Sequence, residues 1–365
     1  MNKLEKYIKF ILLKAVRLSA DYNLVVWCSE KQNDFATAVC EYAHKIGVEN
    51  TEIYFADNLS DFEVPQDKVM HWKMNRYKLL WVYSDSCTAL PPLTWTTVNV
   101  ATENWAKQIF PEICDPDLAV RKLWEAIFTA CRIDDNDPVE NWNRHIANLD
   151  DKANKLNSFN FEKLVFKNKL GTDFSVSLIK NHKWINCTTK NYSGETVITN
   201  IPTEEVFTAP DAATANGIVY ASKPLFCNNE KIDDFYLKFE NGKVADFGAQ
   251  QNVHLLKQLL TSCKNADRIG EIAIVPHSSP ISQLGIFWYD TSFDENAGCH
   301  MALGYSYPQT LQGYTQKEDD ELEQLGFNHC DIHEDFVIGT DDMEVTGITT
   351  DGNAVIIMKN GEWNI

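Results

Sequence analysis

The chain has 365 residues, 44% of them hydrophobic and 12% aromatic, which is long enough for two domains with cores of their own and too apolar for a disordered protein. Lys and Arg number 33 against 52 Asp and Glu, and the resulting net charge of −19 argues against a nucleic-acid partner, which requires a basic face. The same acidity either favours cationic ligands, free amines and divalent metals among them, or serves solubility alone.

The first residues, Met1-Asn2-Lys3-Leu4-Glu5-Lys6, are charged, and Lys14 interrupts the apolar stretch 10–16. That is the pattern of an amphipathic helix and not of a signal peptide. No apolar run reaches membrane-spanning length, so no membrane partner is expected. The ten cysteines are scattered without a C-x-x-C pair and read as reduced thiols of a cytoplasmic protein.

Leu24-Val25-Val26-Trp27-Cys28, Thr51-Glu52-Ile53-Tyr54-Phe55 and Lys78-Leu79-Leu80-Trp81-Val82-Tyr83 read as short strands, with helical spacing over 34–46 between the first two. This order predicts an α/β first domain, 1–160, with a parallel sheet and covering helices. Two long helices follow. One is capped near Asp115 or Asp117 and runs to about Cys131; the other starts at Asp137-Pro138, with proline in its first turn, and runs to about Leu156. The polar stretch 150–160 is either a linker or the solvent face of that helix. Gly47 is the only glycine before Gly171, so the first domain is short of phosphate-loop and hairpin chemistry. From 161 the texture alternates, and Asn241-Gly242, Asp351-Gly352 and Asn360-Gly361 are tight-turn dipeptides. The second domain, 161–365, is therefore expected to be α+β and rich in antiparallel sheet.

Metal-capable side chains gather in this second half. Glu205 precedes Val206-Phe207, with Glu204 beside it as the decoy. Glu271 heads Ile272-Ala273-Ile274-Val275, a buried-type strand at whose mouth a carboxylate stays ionised only when paired. His300 lies in 294–303, which reads as a helix with Asp294 and Glu295 at its start. A lone histidine there is more often a core or capping residue. His333 and Asp335 are two apart, so if Phe336-Val337-Ile338 continues their strand both point to one face and Glu334 to the other. Carboxylates with neutral imidazoles suit a hydrolytic zinc, cobalt or manganese ion. Two such ions together activate water and polarise a carbonyl. A metallohydrolase is the leading reading. The chain has no G-x-S-x-G, H-E-x-x-H, G-x-G-x-x-G or P-loop. Cys299 and Cys330, next to His300 and His333, read as small packing residues and not as nucleophiles.

At these residues the sequence resembles the M29 family of metal-dependent aminopeptidases, of the aminopeptidase T and aminopeptidase S type. The resemblance is densest in Asn200-Ile201-Pro202-Thr203-Glu204-Glu205-Val206-Phe207-Thr208, Ser279-Pro280-Ile281-Ser282, Phe293-Asp294-Glu295-Asn296-Ala297 and His333-Glu334-Asp335-Phe336-Val337. Leu123-Trp124-Glu125-Ala126-Ile127 in the first domain also fits. The resemblance implies two divalent metal ions (zinc, cobalt, manganese or magnesium) held by Glu205, Glu271, His300, His333 and Asp335, with Tyr307 close to them. It implies peptide substrates with a free N-terminus and a homodimer. Departures from the family pattern are Gly298-Cys299 where small residues such as Ala and Ser are usual, Cys330 where serine is common, and Val337 for a frequent methionine. On this reading Asp335 or Glu205 bridges the ions, Glu205 or Glu271 is the general base, and Tyr307 donates to the oxyanion or reaches a metal. The rival readings are a metal-dependent amidohydrolase acting on small amides and a non-catalytic metal- and peptide-binding protein.

Overall fold

A computed structural model describes residues 1–55, 66–82, 94–190, 194–227 and 229–365. The chain divides into two compact units, Met1–Ala147 with Cys187–Thr203, and Asn148–Asn186 with Glu204–Ile365.

The first unit holds a four-stranded parallel sheet in the order Thr51–Phe55, Asn23–Cys28, Tyr77–Val82, Trp95–Val98. The two central strands are buried almost throughout, as apolar runs covered on both faces must be. Trp27 and Trp81 are register partners and stack with ring centroids 4.8 Å apart. The three expected strands and the parallel sheet are thus present, Tyr83 lying outside the described residues. The helix expected at 34–46 forms as Asn33–Lys45. Asp115 caps Pro116–Ala130: its Oδ1 accepts from the amides of Asp117 and Leu118 at 3.0 and 3.3 Å, and proline fills the first turn.

Helix Pro138–Phe159 takes in nearly all of 150–160, so the polar stretch is a helical solvent face and not a linker. Leu149, Ala153 and Leu156 are buried at spacings of four and three while their neighbours stay wet. The division between the compact units falls inside this helix, at 147/148, and the helix ends next to the expected 160/161 boundary.

The second unit contains a nine-stranded antiparallel sheet and a separate four-stranded antiparallel sheet. Asn241-Gly242 joins Glu230–Glu240 to Lys243–Gln251, and Asn360-Gly361 joins Ala354–Lys359 to Glu362–Trp363. Both dipeptides have positive φ throughout (51° and 81°, 51° and 70°), the condition of a two-residue hairpin turn. Among the described residues no helix is long and apolar enough to cross a membrane.

Candidate metal centre

The four-stranded sheet runs in the order Val206–Thr208, Ile269–Ile274, His300–Gly304, His333–Val337. Its register decides which side chains meet. His300 lies opposite Ala273 and Val337, Ala302 opposite Glu271 and Asp335, and Ala273 opposite Phe207. Residues directly opposite share a face, and so do residues two apart. One face therefore carries Phe207, Glu271, His300, His333 and Asp335, with Glu205 just ahead of its strand in the same alternation. Ala273 and Ala302 sit between the polar groups and leave room above the sheet. Glu334 pairs with Leu303 on the other face, as its position between His333 and Asp335 requires.

Glu271 shares this face because Glu271, Ile272 and Ala273 pair in one unbroken register with Ala302, Met301 and His300. The register shifts between Ile269, opposite Leu303, and Glu271, opposite Ala302. The shift thus falls just before Glu271 and displaces Ile269, which an unbroken register would set opposite Gly304. Gly270 is the residue at the shift: a Cβ there would stand 2.2 Å from the Gly304 carbonyl oxygen and 2.4 Å from that of Tyr305.

His300 is in a strand, where the sequence pattern predicts a helix over 294–303. The helical part is only Thr291–Asp294 followed by a 3₁₀ turn, Glu295–Ala297. Every residue of His300–Gly304 is buried, because the strand is central and covered on both faces. Such an all-buried run shows no polar–apolar alternation and is indistinguishable in sequence from buried helix. Asp294 serves the turn: it accepts the amides of Trp288 at 2.8 Å and Asp290 at 3.2 Å, and its burial raises its pKa to about 7.

Two donor triplets lie on the shared face, Glu205–Glu271–His300 and Glu271–His333–Asp335, each with ligand atoms within 4.8 Å of one another. Glu271 is common to both. His300 Nε2 is 2.9 Å from Glu205 Oε2 and 3.7 Å from Glu271 Oε1. His333 Nε2 is 3.5 Å from Asp335 Oδ1 and 3.8 Å from Glu271 Oε2. The other nitrogen of each ring is committed to a carbonyl, Nδ1 of His300 to Gly298 at 3.2 Å and Nδ1 of His333 to Tyr305 at 2.7 Å. A carbonyl only accepts, so Nδ1 carries hydrogen and Nε2 is the atom presented to a cation. His300 Nε2 and Asp335 Oδ1 are buried yet make no aligned hydrogen bond. Close polar atoms that do not bond to one another fit a cation between them.

Two further members carry no signature in the sequence pattern. Glu295 interacts electrostatically with Asp335, Glu205, His300 and Glu271. Helical spacing over 294–303 hides that the 3₁₀ turn aims it at the ligands. Asn296, 1% exposed, accepts the Glu204 amide at 2.7 Å and donates to Glu295 Oε1 at 3.2 Å, fastening the 204–205 segment to the Glu295 turn. Tyr307 lies beside the centre, its ring 4.5 Å from that of His333 and edge-on to Phe207 at 6.4 Å.

Crowded carboxylates compete for ionisation. Burial, reinforced by Glu205 and Asp335, lifts Glu271 to about 7. Burial likewise pushes Glu295 well above the usual carboxylate range, with Asp335 and Glu205 adding to it. Burial opposes charge on His333, but Asp335 and Glu271 overcome it and raise its pKa to about 9. Asp335, also buried, is held low by His333. Burial and the neighbouring carboxylates raise the Tyr307 phenol, which therefore stays protonated as a donor.

Residues 58–363 match the family described as thermophilic metalloprotease (M29). Aminopeptidase PepS of Streptococcus thermophilus is 32% identical, the match covering 100% of this chain and 98% of that protein. Aminopeptidase 2 of Geobacillus stearothermophilus is 40% identical over 74% of this chain and 65% of that protein. The solved structure of wild-type AmpT from Thermus thermophilus superposes with a TM-score of 0.89 at 28% identity, covering 100% of this chain and 99% of that one.

Proposed function

The chain belongs to the M29 family of metalloproteases and is a metal-dependent aminopeptidase, and from that premise we propose that its centre holds two divalent ions and releases single residues from peptides with a free N-terminus. The observation that carries this is Glu271 standing in two donor triplets at once. Glu205, His300 and Glu271 would hold one ion; Glu271, His333 and Asp335 would hold the other. The shared position would let Glu271 serve both ions, a role the family resemblance left between Asp335 and Glu205. Charge supports the count of ions: with Glu295 the centre has four carboxylates, which two dications neutralise. Zinc, cobalt, manganese and magnesium are the candidate metals, zinc and cobalt favoured by the two imidazoles.

When bound, such ions lower the pKa of water and polarise a peptide carbonyl. The protein's own groups do the rest. Carbonyls behind both histidines fix their tautomers and hold Nε2 toward the site. Tyr307, kept protonated beside His333, would donate to the oxygen that gains charge as the carbonyl is attacked. Glu205 and Glu271 are the catalytic carboxylates of this reading, taking a proton from the nucleophile and passing it to the leaving amine. The acidic surroundings attract the substrate's α-ammonium group. A homodimer in the cytoplasm completes the proposal, and light scattering checks the oligomer.

The test has two arms. Chelator dialysis abolishes hydrolysis of leucyl-p-nitroanilide, and divalent metal restores it; activity in the metal-free protein would reject the metal role. N-acetylation of the same substrate suppresses turnover, and a short peptide followed by mass spectrometry loses single residues stepwise. Equal rates on blocked and free substrates would make the protein an amidohydrolase.

A further inference from the structure

Away from the ligand cluster, two thiols lie against each other. The sulfurs of Cys263 and Cys330 are 3.1 Å apart, and both cysteines are free. Cys263 follows helix Val253–Leu260 and precedes strand Ile269–Ile274, which carries Glu271; Cys330 stands three residues before His333. Backbone ties flank the pair. Asn265 Nδ2 donates to the His329 carbonyl at 3.2 Å, and Asn328 Nδ2 donates to the carbonyls of Asn265 at 3.0 Å and Gly304 at 2.7 Å. The two segments are thus fastened side by side, and the sulfurs face each other because their backbones are held.

A disulfide has its sulfurs about 2.05 Å apart, so closure needs about 1 Å of sulfur travel, within reach of side-chain rotation. A metal is not what the pair is arranged for: among the described residues no His, Asp or Glu side chain completes a metal-holding triplet with these thiols. The two sulfurs also differ in access. Cys263 is partly open to solvent, while Cys330 is 8% exposed.

We propose that Cys263 and Cys330 form a redox pair, closing to an intramolecular disulfide with hydrogen peroxide and reopening with a dithiol, and that the closed form braces the segments leading into the ligand strands. Cys263 is the thiol that reacts first. Burial acts to raise its pKa, but hydrogen bonds with Cys330, the Asp331 backbone and Ser262 outweigh it and hold the thiol below its ordinary value. Burial raises Cys330 to about 11, so it stays a thiol until it is called on. The Cys263 thiolate attacks one peroxide oxygen; the O–O bond breaks, and the departing hydroxide takes up a proton as water. The resulting sulfenic acid is attacked by the Cys330 sulfur; the S–S bond forms, the S–O bond breaks, and the hydroxyl leaves as a second water with the Cys330 proton. Two electrons pass from the thiols to the peroxide.

The bond closes a loop of 67 positions that contains Glu271 and His300. Such a loop restricts the unfolded chain, and the folded form gains accordingly. In a reducing compartment the bond is transient, which suits a sensor better than a permanent staple.

The experiment uses the full-length, metal-loaded protein. It is treated with hydrogen peroxide, alkylated under denaturing conditions and mapped without reduction. A peptide linking Cys263 to Cys330 is expected, with a rise of roughly 5 °C in the melting temperature that dithiothreitol reverses. Cys330→Ser removes the link and the rise, and leaves Cys263 as a sulfenic acid that dimedone traps; Cys330→Ala gives the same result and controls for the new hydroxyl. Cys263→Ser removes link, rise and adduct together. The proposal is overturned if both thiols stay alkylatable after peroxide, if Cys263 pairs with a different cysteine, or if the linked protein melts where the reduced one does.

Discussion

At the scale of single residues, the protons on the metal-free centre oppose the metals. Glu271 at about 7 and His333 at about 9 must both give up a proton before they serve as ligands. Metal affinity is therefore expected to rise with pH. His300, whose burial opposes charge but which Glu205 and Glu271 hold well above the ordinary imidazole range, must release its proton too, and each displaced proton is worth roughly tenfold in affinity per pH unit below that group's pKa. Calorimetric titrations in buffers of different ionisation enthalpy count the released protons directly. Affinity that is flat between pH 6 and 8 would count against these groups as ligands. Substitution separates the two faces of the His333–Val337 strand. Asp335→Asn is expected to lower metal content and cut kcat by roughly 10²–10⁴-fold, whereas Glu334→Gln, on the opposite face, stays within about threefold of the parent. Assays paired with metal analysis read both. These two positions were legible beforehand, because a spacing of two on a strand needs no tertiary information. Glu295 was not: its role depends on where the 3₁₀ turn points it, and that is set by Asn296 bonding to a segment 92 positions away.

At the scale of elements, the site borders on an irregularity in its sheet, just before Glu271. The register shifts at Gly270, next to the run that sets Glu271 opposite Ala302. Gly270→Ala places a methyl group into the Gly304 and Tyr305 carbonyls. The strand must separate from its neighbour there, which displaces the adjoining Glu271 from the other ligands. The expected result is loss of most bound metal and a destabilisation of about 2 kcal/mol or more. Metal analysis with denaturant unfolding measures it, and an unchanged metal content would show that the bulge is dispensable. Strands with a wet face, and turns with Asn-Gly, were readable from sequence because each leaves a local pattern. The His300–Gly304 strand was not, since burial on both faces erases the alternation that distinguishes strand from helix.

At the scale of the whole molecule, the charge of −19 acts over distances that single contacts do not. If it draws an α-ammonium group inward, raising salt from ~20 to ~300 mM should raise KM for free peptides several-fold while kcat changes little. Steady-state kinetics across that range decide it, and a KM independent of salt leaves the charge to solubility alone. The route of the chain has a separate consequence. It passes between the compact units three times, at 147/148, 186/187 and 203/204. Neither unit is an uninterrupted stretch of polypeptide, and a fragment beginning at residue 161 lacks the Asn148–Phe159 part of its own unit's helix. Glu205 emerges from the ribosome two residues after the last crossing, and every other ligand follows it. During synthesis, then, the catalytic half has no moment at which it exists as a finished domain waiting for metal; the centre becomes possible only once the chain has been made through Asp335.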